Sequence, residues 1–280
     1  MNQEMNQEVK QEKRKLTKTE KKVVIIMTIA AVVAACIFAV VTYINDYYKA
    51  TEKAQEAILG NKVVKVIETD DYYLFSKEEI TLSSVLDIGE DKGIIFYPGG
   101  KVDEVAYAPL LLELAEKGYD VYLVKMPAKL AILGANKADA IIAGDPSIKE
   151  WTMMGHSLGG AMAASYAAEH DDKIDNLILL AAYSMDDLKE ADMDVYSFYG
   201  SEDKVLNMEN YEKYYSNLPS DKVENVIEGG NHAYFGNYGE QDGDGTATIT
   251  RDEQQETVLD IFLTEEVKEA VKDGLEDLFK

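Results

Sequence analysis

"WTMMGHSLGGAMAASYAAEH" runs from Trp151 to His170. A short apolar run meets Gly-His-Ser-Leu-Gly-Gly and then a small-residue pattern with helical spacing. The pattern predicts a strand handing over to a helix through a sharp turn, with Ser157 at the apex. Such a turn forces its apex residue toward a strained backbone conformation, and Gly155 and Gly159 remove the Cβ atoms that would clash on either side. The serine hydroxyl is thereby lifted clear of the sheet, as a nucleophile requires. Ser157 can act as one only with partners elsewhere in the chain.

Outward from that junction, short β-rich runs alternate with helical patterns from Lys62 to the C-terminus. The alternation predicts a parallel sheet covered by helices. "KVVKVIE" and "DYYLF" read as an opening hairpin, and "GIIFYPGG" (Gly93 to Gly100) as a buried strand followed by the helix pattern "EVAYAPLLLELAEKGY". "DVYLVKMP", "IKEWTMMG", "IDNLILLAAYS", "DVYSFYG" and "KVENVIEGG" supply further strands. Helix patterns lie at "NKADAIIAGDP" and "NMENYEKYYSNL", and an amphipathic helix from Arg251 to Phe279 closes the chain. The expected catalytic domain is one unit of about eight strands over residues 62–280.

Serine at its ordinary pKa needs a positioned base. The chain has three histidines. His156 adjoins the serine, its backbone committed to the turn. His170 falls at the far end of the following helix, about 20 Å away at ~1.5 Å per residue, and reads as a surface or capping residue. His232, in "EGGNHAYFGNYG" after the last strand, is the base by elimination. A base needs an acid to hold its tautomer. Asp203 in "FYGSEDKV" follows the penultimate strand on the same sheet edge as Ser157. Asp186 and Asp187, after the preceding strand, are its rivals, and Asp194 lies at the wrong end of a strand. For a developing oxyanion, the N–H of Leu158 is one donor; the second is expected from Gly100 or Lys101 in the loop after "GIIFYPGG". A phosphate-binding loop is excluded at the glycines because no Gly-Lys-Ser/Thr follows.

With these residues assembled, the chain from Lys62 onward resembles the α/β-hydrolase superfamily. It is most similar to the small bacterial members grouped as α/β-hydrolase family 5, relatives of the dienelactone hydrolases. "YPGGKV", "LVKMP", "GHSLGGAMA", "YGSEDKV" and "GGNHAYFGNYG" carry the resemblance. It implies an α/β-hydrolase fold, a Ser157–Asp203–His232 triad and hydrolase activity. The residues themselves make Gly155, His156 and Gly159 the expected nucleophile elbow and show no metal-ligand spacing of Cys or His, so no cofactor or metal is expected. The dienelactone hydrolases proper carry cysteine at the nucleophile, where this chain has serine.

Lipases often insert a lid between the strands ending near Ser184 and starting at Asp194; here "MDDLKEA" is nearly the whole connection, so an open, shallow site is expected. "GEQDGDGTAT" (Gly239 to Thr248), with Asp242 and Asp244, lacks the further ligands of a calcium loop and reads as a structural loop beside the site.

The N-terminus differs sharply. Residues 1–22 form a polar tail of seven Lys/Arg and four Glu. "VVIIMTIAAVVAACIFAVVTYI", Val23 to Ile44, carries no charge, and as a helix of about 33 Å at ~1.5 Å per residue it would cross a ~30 Å hydrocarbon layer. Its apolar run is long for a secretory signal, so an uncleaved anchor in membrane lipid is expected. Basic residues concentrate ahead of the span, which predicts a cytoplasmic N-terminus and an exported domain beyond a stalk at 45–61. The sole cysteine, Cys36, lies inside the span, so no disulfide is expected in that domain. Beyond Asn45 there are 21 Lys/Arg against 48 Asp/Glu, a net of −27, which disfavours nucleic acid and other polyanions as partners. The expected substrate is a small neutral acyl ester. The alternative is a surface binding protein on the same scaffold that has lost turnover.

Overall fold

The structure is a computed structural model that describes residues 16–77 and 91–278. The polar tail expected at 1–22 lies outside the described residues over 1–15, as does Phe279 at the end of the closing helix. The chain divides into two units, Met1–Asp46 and Tyr47–Lys280.

Among the described residues of the first unit, helix α1 (Lys18–Asn45) starts at a capping box: Thr17 accepts from the Glu20 N–H while the Glu20 carboxylate accepts from the Thr17 N–H. Its most apolar 18-residue window has a mean hydropathy of 3.0, long and apolar enough to cross a membrane. The few polar side chains bond inside the helix, Thr28 to the Val24 carbonyl, Thr42 to that of Phe38 and Asn45 to that of Val41. An apolar solvent could not satisfy those groups, and the helix does so itself.

The second unit is built on one eight-stranded sheet: β1 (Val64–Glu68), β2 (Tyr72–Lys77), β3 (Lys92–Tyr97), β4 (Asp120–Val124), β5 (Glu150–His156), β6 (Asn176–Leu180), β7 (Asp194–Gly200) and β8 (Val223–Ile227). Their spatial order is β1-β2-β4-β3-β5-β6-β7-β8. β1 and β2 form the expected antiparallel hairpin, β2 pairs antiparallel with β4, and among the described residues the other strand pairings are parallel. The chain moves outward from β3 to β4 and then returns to β5 on the other side. The carboxyl ends of β3 and β5 therefore border the switch point, where an open α/β sheet forms its ligand crevice.

Helices cover both faces, so the central strands are apolar throughout rather than alternating with polar residues. Ile94 and Phe96 of β3 join a layer with Leu110, Leu111 and Leu114 of α3 (Ala108–Glu116) and Val258, Leu259 and Phe262 of α7 (Arg251–Leu278). Ile95 and Tyr97 point the other way, toward Ala138 and Ile141 of α4 (Ala138–Gly144) and Ala163, Ala164 and Ala167 of α5 (Leu158–Glu169). Fully burying a side chain such as Ile or Phe contributes about 1.5–3 kcal/mol. The helix expected at "NMENYEKYYSNL" is α6 (Met208–Tyr214).

Part of the segment read as a stalk packs on the second unit. α2 (Glu52–Ala57) buries Ala54, the Tyr48 N–H donates to the Lys101 carbonyl at 2.8 Å, and the Thr51 N–H donates to the Asn237 carbonyl at 2.8 Å. Alanines at 50, 54 and 57 give this stretch an apolar face, which finds its partner on the domain.

Candidate active site

The turn after β5 has the form the sequence predicts. Ser157 adopts φ 53° and ψ −122°, a region that residues with a side chain rarely occupy. Its N–H donates to the Leu180 carbonyl at 2.9 Å, fixing the apex against β6. The glycines are required by close approach. A Cβ on Gly155 would lie 2.7 Å from the Gly159 carbonyl carbon, and one on Gly159 would lie 2.1 Å from the Tyr97 carbonyl oxygen. α5 thus starts hard against the end of β3, with the Leu158 N–H in its first turn, where N–H groups have no intrahelical acceptor.

Strain gathers at this edge of the sheet. Among the described residues the non-glycine positions with positive φ are Asp91, Lys101, Ala128, Lys129, Ser157 and Ala181. All but Asp91 follow the carboxyl ends of β3, β4, β5 and β6. Backbone strain of about 1–3 kcal/mol per residue tends to persist where the surroundings enforce a functional geometry.

Asp203 and His232 meet at the same edge. The His232 Nδ1–H donates to Asp203 Oδ2 at 2.8 Å, and both residues are buried. Asp203 Oδ1 accepts from the Val205 and Leu206 N–H groups, each at 2.8 Å, so the carboxylate is held from two directions. With Nδ1 committed, Nε2 is the ring nitrogen left to exchange a proton. The His232 ring lies 4.6 Å, centroid to centroid, from that of His156, the residue next to Ser157. The rivals are elsewhere. Asp186 and Asp187 are exposed; the Asp186 carbonyl accepts from Ser184, and the Asp187 carboxylate accepts from the Lys189 N–H. Asp194 begins β7 at the opposite end from Asp203. His170 caps α5 and stacks on Tyr166 at 4.2 Å, in the peripheral place its spacing implies.

Gly100 and Lys101 differ in their backbone hydrogen bonds. The Lys101 N–H donates to the Lys129 carbonyl at 2.8 Å and is committed there. The Gly99 N–H donates to the Tyr107 hydroxyl at 3.0 Å. Gly100 is the member of this loop engaged in neither bond, and it faces Leu158: a Cβ on Gly100 would lie 3.0 Å from the Leu158 side chain. Lys129 also pairs through Nζ with Asp103 and Glu104, bracing the loop from outside.

Several supporting residues left little trace in the sequence. Asp244 accepts from the Ala233 N–H at 2.9 Å and the Gly245 N–H at 2.8 Å, and from the Lys204 N–H at 3.2 Å. It thereby ties the loop carrying Asp203 to the loop carrying His232, a structural part as the sequence suggested, though a more central one. Gln254 is fully buried on α7; its Oε1 accepts from the Asn231 N–H and its Nε2 donates to the Asn231 carbonyl. Arg251 donates to the Ala233, Gly236 and Gly239 carbonyls. Farther along α7, Glu266 receives Lys92 Nζ at 2.7 Å and the Tyr119 hydroxyl at 3.0 Å. One helix thus holds the histidine loop at one end and the amino edge of β3 at the other. The connection from β6 to β7, residues 181–193, contains turns and no helix or strand.

These features can be set beside known proteins. A search of curated proteins gives no match. A protein from Thermoplasma acidophilum described as a CIB-like hydrolase superposes with a TM-score of 0.50 at 16% identity, covering 71% of this chain and 96% of its own. One from Bacillus subtilis, described as a hydrolase, gives 0.51 at 11% identity over 76% and 96%. A thermophilic esterase from Thermogutta terrifontis with propionate bound gives 0.49 at 16% over 77% and 97%. A family model described as "Alpha/beta hydrolase family" matches residues 93–256. That span takes in the elbow, the Asp203–His232 pair and the start of α7, and it is more than half of a sequence of 280 residues, so the chain belongs to the alpha/beta hydrolase family.

Proposed function

We propose that this protein is a membrane-anchored serine hydrolase that cleaves small neutral carboxylic esters through an acyl-enzyme. The observation that carries the reading is the buried 2.8 Å Asp203–His232 pair beside a strained serine elbow. A histidine so oriented can accept a proton through Nε2 while the carboxylate steadies the imidazolium. Ser157 Oγ attacks the acyl carbon as His232 takes its proton. The developing oxyanion lies against the N–H groups of Leu158 and Gly100. Collapse breaks the ester C–O bond, with the proton from His232 passing to the leaving alkoxide oxygen. Water, deprotonated by the same nitrogen, then releases the carboxylic acid and restores Ser157.

The anchor is α1, whose uncharged core follows a basic segment; the N-terminus is cytoplasmic and the hydrolase unit extracytoplasmic. The short β6–β7 connection supports an open site for short acyl chains. A p-nitrophenyl ester series tests the reading. Acetate and butyrate should be hydrolysed by the full chain and not by Ser157→Ala. Preference for long chains, with a jump at the micelle threshold, would overturn the substrate class.

A further inference from the structure

Tyr107 and His156 take no part in the proposed chemistry, yet they are buried directly behind it. Both side chains are essentially inaccessible. Three distant segments converge on them: Gly99 after β3, Tyr107 in the short turn before α3, and His156 at the end of β5. The Gly99 N–H donates to the Tyr107 hydroxyl at 3.0 Å, and that hydroxyl lies 2.8 Å from His156 Nδ1. Since the Gly99 N–H can only donate, the tyrosine oxygen accepts there and passes its own proton toward Nδ1. His156 is then neutral, with its proton on Nε2.

We infer that Tyr107 and His156 form a buried positioning pair that aims the Gly100 N–H at the oxyanion and couples that loop to His232. The inference rests on the serine-hydrolase reading. Gly99 is pinned to Tyr107 on one side and Lys101 to the Lys129 carbonyl on the other. The Gly100 amide lies between two fixed neighbours, so its direction follows from theirs. The packing leaves no slack: a Cβ on Gly99 would lie 2.7 Å from the Tyr107 oxygen and 2.8 Å from His156 Nδ1. On its other side the His156 ring rests against His232, 4.6 Å between centroids. Burial, and next the neighbouring His232, hold His156 well below its ordinary pKa, while burial raises Tyr107; both keep the protonation states the pair requires.

The test uses the full-length protein and p-nitrophenyl acetate. Tyr107→Phe keeps the ring and removes the acceptor for Gly99. It should lower kcat about 10- to 100-fold with KM within about threefold, since a lost oxyanion donor costs about 10²–10³ and a misaimed one less. Affinity for a trifluoromethyl ketone, which forms the same oxyanion, should weaken by the same factor. His156→Leu should reproduce the loss, and His156→Asn, which returns an acceptor near the Nδ1 position, should recover most of it. If Tyr107→Phe fails to fold, the two His156 variants decide. Wild-type kcat and inhibitor affinity in Tyr107→Phe or His156→Leu would overturn the pairing. So would a loss that tracks only the unfolded fraction seen by circular dichroism. If wild type itself neither turns over the ester nor binds the ketone, the hydrolase reading falls and takes the pair with it; if wild type is active and the variants match it, the pair alone falls.

Discussion

The serine side and the histidine side of this site are built by different means. The serine side is local: six consecutive residues, Gly155 to Gly160, make a turn whose geometry comes from missing Cβ atoms and one strained φ. The histidine side is assembled from distance. Asp203, His232, Asp244, Arg251 and Gln254 come from separate loops and the closing helix, and their hydrogen bonds join those segments to one another. A local device tolerates almost no substitution at its contact points but depends little on the rest of the chain. A distributed device loses function in steps as its ties are cut.

The largest effect should come from Gly159→Ala. Its Cβ would sit 2.1 Å from the Tyr97 carbonyl oxygen and 2.3 Å from that of Pro98, both backbone atoms that no rotamer change can move. We expect a loss of at least about 3 kcal/mol in urea unfolding, or no folded protein, and no activity. A folded, active Gly159→Ala would break the local half of the comparison.

Asp203→Asn should be next. It keeps the size of the side chain but removes the charge that holds His232 Nδ1–H, and the same exchange in a serine-protease triad costs about 10⁴ in kcat. We expect a fall of about 10²–10⁴ here with the circular dichroism spectrum unchanged. Asp186→Asn, Asp187→Asn and Asp194→Asn, away from the histidine, should each stay within about tenfold.

Gln254→Leu probes a remote tie. It leaves the Asn231 N–H and carbonyl, next to His232, without their buried partner. Stability should drop by about 2–3 kcal/mol and kcat by about tenfold. An unchanged kcat at full stability would mean that the histidine loop holds its shape without α7.

The smallest effect is one of pH. His156 binds its proton less readily folded than unfolded, chiefly through burial, so its contribution to stability is present above about pH 6.5 and is lost as pH falls below that value. The slope for one such group approaches about 1.4 kcal/mol per pH unit. Partly desolvated carboxyls such as Asp120 and Asp175, whose pKa values are raised, act in the opposite direction but are common to both proteins. Urea midpoints for wild type minus His156→Asn should therefore fall as pH drops below about 6.5, and a flat difference would contradict a neutral buried His156.

This division also explains what the sequence could and could not reveal. The eight strands, the opening hairpin and the elbow were legible because each follows from short-range patterning: apolar runs such as Ile94–Tyr97, and glycines flanking Ser157. His232 could be singled out as a candidate because histidines are scarce. Asp203 could be placed only by its position after β7, since 52 acidic residues make residue type uninformative. Asp244 was visible only as part of an acidic, glycine-rich loop, and nothing near Arg251 or Gln254 marks them as holding a loop some twenty residues upstream. The commitment of the Lys101 N–H to Lys129 depends on where the chain after β4 passes, which no local pattern encodes. Tyr48 and Ala54 looked like part of a stalk because their packing partners lie far along the sequence.

Fluorophosphonate labelling of the folded full-length protein, with the modified peptide mapped by mass spectrometry, tests the central claim most directly. The probe reacts with a serine only when a base and an oxyanion hole activate it. Labelling should fall on Ser157, vanish in Ser157→Ala, and drop steeply in Asp203→Asn. No labelling of folded wild type, or equal labelling of Ser157→Ala, would contradict the account.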